Sequence, residues 1–297
     1  MHNIMRFSQK FIFNRLTLFC ISSIIVFTVI KLPSCAYGTE RMTIMASIIA
    51  FANQKGGVGK TTSAVNLAAS VGIIGKKMLM VDLDPQGNTT SGFGISKKNV
   101  KYSSYDVLIG RCSADAAVIK TNFENLWVMP STISLAGAEF DLFSMDDREY
   151  RLRDALKTIE SEYDYIFIDC PPSLGMLTVN ALSAAAGVII PMQCEYYALE
   201  GLSQLMITIS KIKKLYNQQL EICGILLTMY NGRLILTAQV VHELKKYYAD
   251  KLFSTTISRN VKLSEAPSFG MPVYYHDKFC KGATEYLEVA KELVTRM

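Results

Sequence analysis

Residues 47–62 read SIIAFANQKGGVGKTT, in which a short apolar run is followed by a glycine-rich loop and then by the start of a helix. Strand, glycine loop and helix in this order are the context that a phosphate-binding loop requires. The glycines let the backbone curl so that successive N–H groups point at a phosphate chain, and the helix N-terminus adds its dipole. The sequence therefore predicts that nucleotide phosphates bind where the first strand ends.

Two side chains at the end of this loop carry chemistry. Lys60 supplies a positive charge for the β and γ phosphates of ATP, and the Thr61 hydroxyl is a ligand for Mg²⁺. The alternative is a glycine-rich turn that only joins a strand to a helix, but GKT in this context favours phosphate binding. The residues expected to contact the nucleotide are Gly56, Gly57, Val58, Gly59, Lys60, Thr61 and Thr62.

Apolar strands alternate with amphipathic helices along the rest of the chain. Strands are predicted at 47–52, 77–83, 125–129, 164–169, 187–191, 222–228 and 252–257, and helices at 60–74, 147–161, 175–186, 199–216, 236–249 and 283–296. Short apolar strands separated by helices are typical of parallel strands that are covered on both faces. We therefore predict one α/β domain over residues 45–297, with a doubly wound, mostly parallel sheet flanked by helices.

Acidic residues follow two of the predicted strands. Asp82 and Asp84 come at and after the end of the second strand, and Asp169 ends the fourth. The carboxyl ends of parallel strands face the ligand crevice of an open sheet, so these carboxylates are expected beside the phosphate loop. Asp169, after four apolar residues, is typical of a Mg²⁺ site. The alternatives are that the first two acids cap a turn and that Asp169 is structural.

The composition excludes several classes of protein. Of 297 residues, 50% are hydrophobic and 19% charged, which excludes a disordered chain, and 18 Gly with 8 Pro exclude a collagen-like one. Seven cysteines without a CxxC spacing and three scattered histidines argue against a disulfide framework and against a zinc or iron–sulfur site. Free thiols suit a reducing compartment, and we expect a cytoplasmic protein.

The first 44 residues differ in charge from the remainder. They hold five Lys or Arg against one acid, whereas residues 45–297 hold 26 basic and 25 acidic residues. The mildly basic character of the whole chain therefore gives no argument that residues 45–297 bind nucleic acid.

Residues 16–30 form an apolar run after a basic start, and small residues follow at 34–36. This pattern is typical of a signal peptide or a short membrane anchor, which would lie within residues 11–32. A third interpretation is an over-long gene prediction, with translation starting at Met42 or Met45. Because ATP chemistry needs the cytoplasm, we favour the third interpretation, and we expect contact with a membrane only if the leader is real.

The loop departs from the general phosphate-loop pattern at two positions. Gln54 stands where that pattern has its first glycine, and an extra lysine, Lys55, follows it. This KGGxGKTT form resembles the deviant P-loop of the ParA/MinD family of ATPases, and the resemblance to the ParA (Soj-like) branch, which partitions chromosomes and plasmids, is close. The resemblance covers essentially all of residues 45–297, through NQKGGVGKTT, VDLDPQGNTTSG, YDYIFIDCPPSLG, RNVKLSEAPSFG and GATEYLEVAKELV.

The resemblance implies roles for the charged residues around the phosphates. Lys55 is expected to reach across a dimer to the partner's ATP, as an arginine finger supplied in trans does. Asp84 is expected to position the attacking water, while Lys60 acts on the phosphates. The metal ligands implied are Thr61, Asp82 and Asp169.

The resemblance also implies where the adenine packs, namely beside Asn231 and Arg259. Two positions depart from the family pattern, because Asn231 stands where Asp is common and Ser258 stands where Pro commonly precedes the arginine. Either change could shift the adenine pocket slightly.

Arg233 and Lys262 resemble the basic residues with which Soj-like proteins face DNA, and Arg259 lies close by in sequence to Lys262. An ATP-bound homodimer doubles the few phosphate contacts of one subunit, so nucleotide state can switch non-specific DNA binding in a chain of low net charge. The alternative is that these are solvated surface cations.

The function expected is slow, Mg–ATP-dependent hydrolysis by a dimer on nucleoid DNA, which segregates a chromosome or plasmid and is stimulated by a ParB-like centromere-binding partner. The alternative is a ParA/MinD-type ATPase that positions a protein or a membrane-associated cargo. The C-terminal segment is too acidic for the basic amphipathic helix that a MinD-type membrane ATPase would need.

Overall fold

A seven-stranded sheet lies at the centre of the computed structural model, which describes residues 45–297. The strands are β1 (Ser47–Phe51), β2 (Met78–Asp82), β3 (Ile119–Lys120), β4 (Leu126–Met129), β5 (Tyr165–Asp169), β6 (Gly187–Gln193) and β7 (Glu221–Thr228). They lie in the order β3-β4-β2-β5-β1-β6-β7, and all neighbouring pairs are parallel except β3 with β4. The predicted doubly wound α/β class is confirmed.

Helices flank the sheet on both faces. They are α1 (Lys60–Ile73), α2 (Asn88–Gly92), α3 (Ser104–Leu108), α4 (Ala138–Phe143), α5 (Arg151–Leu156), α6 (Met176–Ala184), α7 (Ala198–Leu215), α8 (Ile235–Tyr248), α9 (Val261–Glu265), α10 (Val273–His276) and α11 (Lys281–Arg296). The six longer helices predicted from periodicity are present, although the one expected at 147–161 is only α5 followed by a 3₁₀ turn.

Alternating side chains of each strand enter two separate cores. Ile49 and Phe51 of β1 pack with residues of α1 and α11, whereas Ile48 and Ala50 point to the opposite core. Both cores are apolar, which is why the strands show continuous hydrophobic runs. Tyr286 of α11 is fully buried in the core that also contains Ile49 and Phe51.

The strand register brings three carboxyl ends to one point. Phe51, the last residue of β1, pairs with Asp169 at the end of β5, and Asp82 at the end of β2 pairs with the same Asp169. The glycine loop leaves β1 immediately after this point. The sheet therefore gathers the loop and the strand-end acids at one edge, as its parallel topology requires.

The strand predicted at 252–257 is wrong. This segment makes isolated bridges only, from Leu252 to Ile225 and from Ser258 to Tyr230. The Glu292 carboxylate of α11 accepts from the Ser254 amide and hydroxyl at 2.9 and 2.6 Å, which takes up backbone hydrogen bonding that a ladder would need. The sheet still has seven strands because it includes β3, which was not predicted. With two residues, β3 is too short to be recognised from the sequence.

The leader predicted at residues 1–44 lies outside the described residues. Within residues 45–297, no helix combines the length and the apolar character needed to cross a membrane. All three interpretations of the leader therefore stay predictions.

Candidate functional site

The loop between β1 and α1 takes a shape that depends on glycine. Gly57 and Gly59 have φ of 76° and 79°, in the left-handed region that side chains rarely adopt. The Thr228 hydroxyl at the end of β7 donates to the Val58 carbonyl at 2.7 Å and fixes the loop from the side. α1 then begins at Lys60, so its free N–H groups point into the loop.

The start of the loop is bound to β6. The Asn53 side-chain amide donates to the Pro191 carbonyl at 2.7 Å, and its oxygen accepts from the Lys55 amide at 3.0 Å. Asn53 thus joins the entry of the loop to the end of a neighbouring strand. No local sequence pattern marks this contact, because Asn53 and Pro191 lie far apart in the chain.

Lys60 is buried beneath the loop. Its side chain is 7% exposed, and its ammonium contacts the Asp169 carboxylate at 3.1 Å and the Cys170 carbonyl. Burial disfavours the charged ammonium, but the attraction of Asp169 and its other anionic neighbours outweighs burial and raises the pKa of Lys60. The lysine is therefore fully charged at neutral pH.

The other Asp169 oxygen accepts from two hydroxyls, those of Thr61 at 2.7 Å and Thr89 at 2.8 Å. Hydroxyl and carboxylate oxygens are the donors that Mg²⁺ prefers, and Mg²⁺ at nucleotide sites takes one or two carboxylates while phosphates complete its shell. Within residues 45–297, no group of three or more acidic, His or Cys side chains is arranged so that it could hold a metal ion. The residues present therefore fit Mg²⁺ bound together with a nucleotide.

Asp82 is fully buried, and both of its oxygens are occupied. One accepts from the Thr90 amide and hydroxyl at 2.8 and 2.6 Å, and the other accepts from the Asp84 amide at 3.2 Å. Burial, followed by repulsion from Asp169, raises the pKa of Asp82 to about 7. Asp82 lines neither cavity described below, so in this conformation it holds the loop after β2 in place.

A cavity of about 390 Å³ opens above the glycine loop. Its lining includes Lys55, Lys60 and Thr61 of the loop and Asp84 and Gln86 of the segment after β2. Asp84 is 6% exposed, and one of its oxygens accepts from the Gln86 amide at 2.9 Å. With Thr62, which also lines it, the cleft brings together four cationic or hydroxyl side chains and one carboxylate.

A second cavity of about 330 Å³ adjoins the first and shares Gly59, Thr62 and Met229 with it. Of the two residues predicted to lie beside the adenine, Arg259 lines this cavity, whereas Asn231 does not line it and is exposed. The two cavities together have the form expected for phosphates in one and a base in the other.

The basic residues predicted to face DNA lie on one outer surface. Tyr230 forms a bridge to Ser258, which places the loop that carries Arg233 beside the segment that carries Arg259 and Lys262. Arg233 and Arg259 are exposed. The Lys262 ammonium is 2.8 Å from the Glu265 carboxylate, which raises the pKa of Lys262 and neutralises part of its charge.

Lys55 lies at the rim of the phosphate cavity and contacts Glu195, a residue between β6 and α7. Sequence reasoning missed Glu195 and Thr89. Thr89 stands in the polar run NTTSG, in which a hydroxyl facing Asp169 cannot be told from its neighbours.

Comparison with known proteins adds independent findings. Residues 46–222 match a family described as an AAA domain. The sporulation initiation inhibitor protein Soj of Bacillus subtilis is 54% identical over 249 residues, which are 84% of this chain and 98% of that protein. The chromosome partitioning protein ParA of Myxococcus xanthus is 49% identical over 259 residues, which are 87% of this chain and 92% of that protein.

The fold also matches a solved structure that holds a nucleotide. The Mycobacterium smegmatis protein described as cobyrinic acid a,c-diamide synthase, with bound ADP and magnesium, aligns with a TM-score of 0.74 at 36% identity. The alignment covers 84% of this chain and 94% of that one.

Proposed function

This chain belongs to the ParA/Soj family of partitioning ATPases, and from that membership we propose that it forms an ATP-dependent homodimer, binds DNA without sequence preference and segregates a chromosome or plasmid with a ParB-type partner. It is an ATPase that uses Mg–ATP. The dimer, the DNA and the partner are the proposed part.

The observation that carries the proposal is the single cavity above the glycine loop that Lys55, Lys60 and Asp84 all line. The loop amides and Lys60 bind the phosphates. We assign to Asp84 the orientation of the attacking water, because it is the carboxylate that lines the same cavity. Mg²⁺, when bound, neutralises phosphate charge, and Thr61 and Asp169 are the residues that would hold it.

The dimer follows from the two lysines of the loop. Lys60 is buried against Asp169, whereas the Lys55 side chain is 39% exposed at the rim. A rim cation can reach phosphates bound to a second subunit, where it stabilises charge in the transition state of phosphoryl transfer. ATP thereby becomes part of the subunit interface.

DNA binding follows from the outer surface beside the second cavity. Arg233 and Arg259 are exposed there, and Lys262 lies next to them. One subunit offers few phosphate contacts and binds weakly, but a dimer offers twice as many, and each contact adds a counterion-release contribution. On this basis we place the protein in the cytoplasm on nucleoid DNA, where a ParB-type partner stimulates its slow hydrolysis.

We further propose that residues 45–297 form the whole ATPase unit. The sheet, both cavities and the basic surface lie within these residues. A chain that starts at Met45 should hydrolyse ATP at the rate of the full chain. A rate reduced more than about tenfold, with folding intact, would show that residues 1–44 take part.

The proposal is tested by sedimentation of the full chain with a non-hydrolysed ATP analogue, with ADP and without nucleotide, each with and without a DNA duplex of arbitrary sequence. We expect dimers, and dimers on DNA, only with the ATP analogue. Dimers that form with the ATP analogue but do not bind DNA would instead support an ATPase that positions a protein cargo. Monomers in every state would refute the dimer.

A further inference from the structure

The rim lysine, Lys55, is held by its own chain. Its ammonium is ion-paired to the Glu195 carboxylate, and the two side chains are 39% and 49% exposed. No second acidic side chain forms an ion pair with Lys55 among residues 45–297. The buried Lys60 differs, because its carboxylate partner, Asp169, is fully buried.

The backbone on both sides of this pair is fixed. The Lys55 amide donates to the Asn53 side chain, which itself donates to Pro191 at the end of β6. Glu195 lies two residues after β6, where its amide donates to the Gln193 carbonyl and its carbonyl accepts from the Ala198 amide, both at 3.0 Å. Residues 191–195, which include the last residues of β6 and the two that follow it, therefore hold both the backbone and the side chain of Lys55.

We infer that Glu195 is a positioning residue, which holds Lys55 in the free chain and competes for it with the phosphates of a second subunit. This inference rests on the proposed trans role of Lys55. The ammonium cannot remain on Glu195 and also move to a partner's nucleotide, so the ion pair has to open when the dimer forms.

The energetics suit a reversible contact. Exposed ion pairs are weak, so Glu195 can be displaced, whereas ATP phosphates carry several charges and accept short charge-assisted hydrogen bonds. Because the Lys55–Glu195 ion pair exists only in the free chain, its stabilising free energy is lost when the dimer forms. The ion pair therefore disfavours dimerisation. Glu195 thereby raises the protein concentration at which ATP drives dimerisation, and it keeps Lys55 off the nucleotide bound to its own chain.

The first test measures the dimer dissociation constant of the full chain by sedimentation equilibrium with a non-hydrolysed ATP analogue. Each dimer opens two such pairs, and an exposed pair accounts for about 1.4- to fivefold, so Glu195→Gln should tighten the dimer about two- to 25-fold. Glu200→Gln, an exposed acid on the first turn of α7, changes the net charge equally and should leave the constant unchanged. An unchanged or weaker dimer for Glu195→Gln alone overturns the inference.

A second measurement reads the contact without a dimer. Acylation of lysines in the nucleotide-free chain, followed by mass spectrometry, should label Lys55 several-fold faster in Glu195→Gln than in the wild type or in Glu200→Gln. Equal labelling rates in all three chains would show that Glu195 does not restrain Lys55.

Lys55→Gln separates this inference from the proposed function. If Lys55→Gln alters neither the dimer nor ATP hydrolysis, the trans role is wrong, and the inference falls with it. If Lys55→Gln weakens either while Glu195→Gln changes nothing, only the positioning role is wrong. In the Lys55→Gln background, Glu195→Gln should have no effect, and a persisting effect would show that Glu195 acts through another group.

Discussion

The phosphate end of the sheet and the outer basic surface adjoin each other, but they are built differently. At the phosphate end, Lys60, Asp82 and Asp169 are buried, and their charged groups bond to one another or to neighbouring hydroxyls and amides. On the outer surface, Arg233 and Arg259 are exposed. Removing one residue from a buried polar network leaves its partners unpaired and disrupts the whole site. Removing one exposed cation lowers DNA affinity only by the contribution of that single phosphate contact.

The largest effect is expected for Lys60→Ala. The change removes the cation of the phosphate loop and leaves the buried Asp169 carboxylate without its ion pair, so ATP affinity should fall by at least about 100-fold. Binding of a fluorescent ATP analogue measures this loss. Lys211→Ala, on the exposed face of α7, is the matched control and should bind normally. Tight ATP binding by Lys60→Ala would remove the phosphate loop assignment.

Asp84→Ala should separate binding from hydrolysis. Asp84 lines the cavity but forms no hydrogen bond or ion pair with Lys60 or Asp169 in the described part of the chain, so ATP affinity should change little. Hydrolysis should fall about 100-fold, because the water loses its orienting carboxylate, and an ATP-bound dimer should accumulate on DNA. Single-turnover hydrolysis measures this effect, and a wild-type rate would exclude the role assigned to Asp84.

Substitutions on the outer surface should have graded effects. Arg233→Glu should weaken DNA binding about tenfold or more at low salt, while ATP-driven dimerisation persists. Lys262→Ala should cost less than Arg233→Ala, because Lys262 is already paired with Glu265 in the free chain. Fluorescence anisotropy with a duplex of arbitrary sequence ranks the variants. Loss of the dimer in Arg233→Glu would mark that residue as structural.

A last effect is expected in the pH dependence of stability, which is read without nucleotide or DNA. The pKa of Asp82 is about 7 in the folded chain against an ordinary value of 3.8, so the folded chain binds more protons between about pH 4 and 7. The free energy of unfolding therefore falls as pH rises through this window. Asp82→Asn cannot titrate and should show a smaller fall between pH 5 and 8 in urea titrations, whereas Glu200→Gln should follow the wild type.

The two regions also differed in how far the sequence could predict them. The strands β1, β2 and β5 were predicted to within two residues, because burial on both faces makes their apolar runs continuous. Since a parallel sheet gathers its carboxyl ends, the positions of Asp84 and Asp169 followed from those strands.

What the sequence could not give were contacts between distant residues. Thr89 on Asp169 and Glu195 on Lys55 join residues that lie 80 and 140 positions apart, and nothing in either local pattern marks them. The segment 252–257 was mistaken for a strand because its residue types suit one, while Glu292 on a distant helix takes up the hydrogen bonds of Ser254.

The nucleotide switch itself is tested most directly by the salt dependence of DNA binding. The slope of log affinity against log salt counts the phosphates that the protein neutralises, at about −0.9 per contact. With a non-hydrolysed ATP analogue, the full chain should bind DNA with a slope about twice that found with ADP, because two subunits then present their basic surfaces together. Equal slopes and equal affinities in the two nucleotide states would contradict a switch based on dimerisation.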